Sequence, residues 1–174
     1  MRGGLAISPG RSEEVYKPPC YVASPYGFAE STSYWYKHVL LTMLNKYVEI
    51  LDPWSVNIDH ILSLPADKRK DLWLDLGDHH FNTIKNMAKL VIAGLDQEPP
   101  DIGTVAEVAW AAAHGIPVIG YRGDMRESGE DGLSYNLMVP AAIRRSGGIT
   151  VASLTELENE LQNPKRAVRF KSTG

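Results

Sequence analysis

The sequence holds a single cysteine in 174 residues, Cys20, so no internal disulfide can form and no cysteine-based zinc site can be assembled. No apolar run approaches the roughly 20 residues that a membrane-spanning helix needs. The stretch from Met1 to Lys17 lacks the apolar core of a secretory leader, and a soluble, cytoplasmic chain is the expectation. An excess of one charge is missing too: 18 Lys and Arg stand against 21 Asp and Glu, a net charge of −3. Such a balance gives no electrostatic reason to seek nucleic acid or an anionic membrane. Neither GxGxxG nor GxxxxGK with a following Ser or Thr comes after any apolar run, which disfavours a dinucleotide or P-loop site.

What is present is an ordinary globular composition of one-domain length, 44% hydrophobic and 22% charged. Residues 1–18, rich in Gly, Ser, Pro and charge, read as a flexible N-terminal arm, residues 19–163 as one domain, and residues 164–174 as a basic C-terminal tail. Within the domain, short apolar runs alternate with helical patterns. Cys20–Ser24, Tyr47–Leu51, Leu90–Leu95, Ile116–Tyr121 and Gly148–Val151 read as strands. Helices are expected over Ser31–Lys46, roughly 78–88, Thr104–His114, roughly 136–146 and from Ser153 onward, with residues 54–76 an irregular insertion of short helical pieces. Strands that are apolar throughout and alternate with helices imply a doubly wound, five-stranded parallel sheet, flavodoxin-like or Rossmann-like, with helices on both faces. Ligands of such sheets bind outside the carboxyl ends of the strands. That points to three loops: Ser24–Phe28, Asp96–Thr104 and Tyr121–Ser134.

The second of these loops carries Asp101-Ile-Gly-Thr104-Val-Ala-Glu107. Thr104 and Glu107 have the spacing of a capping box, as do Ser153 and Glu156 at another helix start. The other reading is chemical. Glu107 would sit in the first turn of a helix that begins at the ligand edge, where the helix dipole favours an ionised carboxylate. With Asp101 just ahead, two carboxylates would share one crevice, as glycosyl transfer by nucleophile and acid requires. Tyr21 is odd among aliphatic strand residues; a buried tyrosine needs a partner for its hydroxyl, and a carboxylate of the adjacent loop would serve. Tyr26 and Phe28, flanking Gly27, could stack on a flat ligand or pack on their neighbours. His79-His80 lacks a third ligand at useful spacing, so neither a metal nor a cofactor is expected. Trp35, Trp54, Trp73 and Trp110 read as core or interface residues.

Four segments resemble the nucleoside 2-deoxyribosyltransferase family: Tyr21–Phe28, Ile84–Ala93, Asp101–Ala111 and Tyr135–Met138. The resemblance implies that Glu107 is the nucleophile, forming a covalent deoxyribosyl-enzyme, that Asp101 is the acid protonating the departing base, and that Tyr21 orients the nucleophile. It implies substrate contacts from Ser24, Tyr26, Gly27, Phe28 and Gly103. It also implies that Asn136 and Met138 are lent to a neighbouring subunit in a dimer-based oligomer, typically a hexamer, acting on deoxynucleosides and free bases. Two positions depart from the family pattern. Ala109 stands where a glycine is common, and the place of the second base-contacting acid is His80, with Asp78 and Asn82 close by as candidates for that contact. The expected activity is transfer of 2-deoxyribose between bases. The alternatives are an N-glycoside hydrolase of deoxynucleosides or their 5′-monophosphates, and a non-catalytic nucleotide-sensing module.

Overall fold

The computed structural model describes residues 16–163. Nearly all of the expected N-terminal arm and the whole basic tail lie outside the described residues. Five parallel strands form one sheet in the order β2-β1-β3-β4-β5. They are β1 Pro19–Ala23, β2 Glu49–Leu51, β3 Leu90–Gly94, β4 Val118–Tyr121 and β5 Ile149–Val151. The connecting helices are α1 Glu30–Trp35, α2 Leu41–Leu44, α3 Asp59–Ser63, α4 Ala66–Met87, α5 Ile102–Ala113, α6 Met138–Arg145 and α7 Leu154–Gln162, with a π-helical stretch Tyr36–Leu40 between α1 and α2 and a 3₁₀ turn Pro53–Ser55 after β2. The doubly wound parallel sheet is therefore the one the strand pattern implies.

Strand alternation divides the core into two layers. Cys20, Val22, Leu90 and Ile92 face the layer of Tyr36, Leu40 and Leu44, together with Leu157 of α7. Tyr21, Ala23, Val91 and Ala93 face the opposite layer with Ile84 of α4, Val108 and Ala111 of α5, and Ile143 of α6. Both layers exclude water: Val22, Leu90, Val91, Val108 and Ala111 are wholly buried. Sheet order reverses between β1 and β3, whose register pairs Tyr21 with Val91. The crevice of a doubly wound sheet opens at that reversal.

Three expectations are corrected. Residues 54–65 hold the expected short helical pieces, but 66–76 belong to α4, one helix of 22 residues beginning at Ala66. Trp73, Leu76, His80 and Ile84 recur at spacings of three and four, one helical stripe. The polar run Lys68–Asp71 hides this stripe in the sequence. Thr104 is not the cap of α5: Asp101 is, its Oδ2 accepting from the Thr104 amide at 2.8 Å and the Thr104 hydroxyl at 3.1 Å. Glu107 accordingly lies in the second helical turn, past the reach of the N-terminal dipole, and makes no capping bond; the comparable pattern at α7 is a real cap, where Ser153 Oγ accepts from the Glu156 amide. The third loop does not join Ser24, Asp101 and Glu107 around one cavity; its Tyr121, Gly123 and Asp124 line a separate pocket with Tyr26 and Asp96. It is drawn toward the β3 loop by the buried Arg122, which donates to the carbonyls of Leu95, Gln97 and Arg126 and to Glu98 Oε2.

Candidate active site

A cavity of about 510 Å³ opens at the β1/β3 reversal. Its polar end is formed by Ser24, His80, Asp101, Gly103, Thr104 and Glu107. Glu107 projects from α5 toward β1, where the Tyr21 hydroxyl donates to Oε1 at 2.6 Å. Tyr21 points there because alternation turns it to the α5 side of the sheet, while Cys20 and Val22 point to the other. The buried tyrosine thus finds the partner its position demands, a carboxylate 86 residues away. Oε1 of Glu107 is held by this bond, and the residue lines the cavity.

Burial pushes the Glu107 carboxyl up from its ordinary 4.5 to about 7; the Tyr21 bond opposes the rise and the nearby Asp101 adds to it. The ionised form is therefore harder to reach at neutral pH than for an exposed carboxylate. His80 Nδ1 lies 4.0 Å from Glu107 Oε1. Burial, and then the adjacent His79, lower the His80 pKa below its ordinary value. A neutral imidazole at this distance makes no ion pair, so Glu107 has no cationic partner among the described residues. Among the described residues, the lining of the cavity contains no lysine or arginine.

The first loop divides between the two roles open to it. Phe28 is 75% exposed and lines the cavity. Tyr26 instead turns inward, edge-on to Trp35, and its hydroxyl donates to Asp96 Oδ2 at 2.7 Å, so it does not reach the cavity. Gly27 gives room rather than contact: a Cβ there would lie 2.1 Å from the Trp54 ring. Trp54 crosses this glycine, donates from Nε1 to the Ser24 carbonyl at 3.1 Å and meets Phe28 edge to face. The turn that carries Trp54 is fixed by Asp52, whose Oδ1 accepts from the Trp54 amide and from the Tyr36 hydroxyl.

The structure separates the three candidates on α4. His80 lines the cavity, while Asp78 and Asn82 are exposed and outside it. Residues two apart on a helix point about 200° away from each other, so the three cannot share one site. Asn136 and Met138 also lie outside this chain's cavity, both exposed, with Asn136 Oδ1 accepting from the Met138 amide at 3.0 Å. Sequence reasoning missed the apolar wall. Trp54 and Trp73, read as core or interface, line the cavity with Pro53, Val56, Ile58 and Leu76. The spacing of Trp73, Leu76 and His80 on one helical stripe was the signal for part of that wall. Among the described residues no group of three or more His, Cys, Asp or Glu side chains is placed to hold a metal, and no helix is long and apolar enough to cross a membrane.

An open α/β sheet with an acidic crevice at its strand reversal defines the class. Residues 20–138 match the Nucleoside 2-deoxyribosyltransferase family, and the chain belongs to it. No curated protein sequence matches the chain. Among solved structures, a conserved protein from Enterococcus faecalis V583 is similar with a TM-score of 0.63 at 22% identity, covering 84% of this chain and 98% of that one. The 2-deoxyribosyltransferase of Bacillus psychrosaccharolyticus is similar with a TM-score of 0.56 at 18% identity, covering 81% of this chain and 90% of that one. A CMP N-glycosidase from Clostridium botulinum is similar with a TM-score of 0.51 at 18% identity, covering 83% and 98%. These likenesses establish a shared fold.

Proposed function

We propose that the chain transfers 2-deoxyribose between nucleobases by double displacement through Glu107. The observation that carries this reading is the half-buried Glu107 carboxylate, gripped by Tyr21 at one oxygen and lining the cavity that Asp101 also lines. Ionised Glu107 attacks C1′ of a deoxynucleoside and forms a glycosyl ester. The electrons of the C1′–N bond pass to the base, which takes a proton from Asp101 in its acid form. A second base then attacks C1′, releases the Glu107 carboxylate and returns its own proton to Asp101. Each displacement inverts C1′, so the configuration is retained overall.

The cavity favours an uncharged nucleoside over its 5′-monophosphate. Among the described residues its ionisable lining is His80, Asp101 and Glu107, two carboxylates and an imidazole whose protonation burial disfavours, and none of these offsets a phosphate dianion. Asn136 and Met138, exposed and outside their own cavity, are proposed to complete the site of a neighbouring subunit. Incubating the protein with a deoxynucleoside and a second base, and separating the products, tests the reading. The expected product is the exchanged nucleoside; free base without exchange would assign the chain to hydrolysis, and no cleavage of any deoxynucleoside would overturn the proposal.

A further inference from the structure

The cavity is larger and more apolar than its catalytic end requires. Besides its polar end, it is lined by an apolar wall of Trp54, Val56, Ile58, Trp73 and Leu76. Trp54 offers no free donor on this wall, since its indole N–H is already bonded to the Ser24 carbonyl. A polar base edge laid here would lose its water without finding a partner, which is costly. A hydrocarbon group laid here would leave water at no such cost. The volume of about 510 Å³ falls within the range that holds drug-sized ligands. Trp73 is 39% exposed in the free chain and sits three and seven residues before Leu76 and His80, on the stripe that leads toward Glu107. The wall is thus continuous with the reacting end and remains partly open to solvent.

We infer that the site prefers nucleosides whose base carries an apolar alkyl or aryl substituent, housed against Trp54, Ile58, Trp73 and Leu76. The inference rests on the glycosyl-transfer reading and adds to it the class of base. Such a substituent projects from the base edge remote from the glycosidic bond. The sugar then keeps its place at Glu107 while the added group lies along α4.

The test compares 2′-deoxyadenosine with its N6-benzyl derivative as donors to the full-length protein. The expected kcat/KM is about tenfold or more higher for the benzyl compound, the gain that burial of one aromatic group supplies. Trp73→Ala should bring the ratio of the two values toward one, and the ratio rather than the absolute rate is read. A ratio at or below one in the wild-type protein, with both donors cleaved, overturns the inference and leaves the transfer reading intact. Calorimetric binding of adenine and 6-benzylaminopurine extends the test to a protein that cleaves neither nucleoside. Benzylaminopurine binding about tenfold tighter supports the apolar subsite even if the transfer reading has failed. Equal or weaker binding overturns it.

Discussion

Tyr21 and Glu107 are joined by a hydrogen bond of 2.6 Å that links the first strand to the helix after the third. The bond favours the ionised carboxylate and partly offsets the burial that drives its pKa to about 7. Tyr21→Phe removes that donor. The acid limb of the kcat/KM profile, expected near pH 7 in the wild type, should then move upward by about one to two units, as for loss of one hydrogen bond to a charged group. A profile of kcat/KM against pH for both proteins checks this, and an unmoved limb would assign Tyr21 to packing alone.

The same pKa has a consequence for stability. Below about pH 4.5 Glu107 is protonated in both the folded and the unfolded chain. As pH rises toward 7 the unfolded chain ionises first, so the folded state binds more protons and its stability falls. Above pH 7 the buried charge costs on the order of 3 kcal/mol. Glu107→Gln stays neutral and can still accept from Tyr21. It should be inactive and yet more stable than the wild type at pH 8 by roughly 2–3 kcal/mol, with a much smaller difference at pH 5. Denaturant unfolding at the two pH values measures the contrast.

Asp101 holds two roles that substitution separates. Asp101→Asn keeps an acceptor for the Thr104 amide and should hold stability within about 1 kcal/mol, whereas Asp101→Ala should cost about 0.5–2 kcal/mol through the lost cap. Both lose the proton donor. Cleavage of nucleosides with poorly leaving bases should slow by about 10²–10⁴-fold, and that of nucleosides with activated bases far less. Equal slowing for the two kinds of base would show that Asp101 only shapes the loop.

Site sharing between subunits predicts complementation. Glu107→Ala and Asn136→Ala should each be inactive alone, while mixed oligomers made by co-expression should recover part of the activity, because some interfaces then hold one complete site. Verified mixed oligomers no more active than either parent would place Asn136 within its own chain's function or outside function altogether.

The strand pattern and the loop after β3 were legible in the sequence because parallel strands are apolar throughout and the acidic cluster is local. The partnership of Tyr21 with Glu107 was legible as a need, since a buried hydroxyl must be satisfied. The wall of the cavity was not. Trp54 reaches it by passing over Gly27 and by the Asp52–Tyr36 bond, contacts that no local pattern encodes. Trp73 and Leu76 share a stripe with His80, but the polar run Lys68–Asp71 masks the helix that carries them. The capping-box pattern at Thr104 misled for a related reason: Asp101 competes for the same amide and wins it.

The central claim is that Glu107 becomes glycosylated, and peptide mapping of an acid-quenched reaction reads it most directly. With a deoxynucleoside as donor and no acceptor base, the peptide containing Glu107 should gain the mass of one deoxyribosyl group. The adduct should disappear when a second base is added and be absent in Glu107→Gln. An active protein that exchanges bases with no adduct on Glu107, or with the adduct on another residue, would contradict the account.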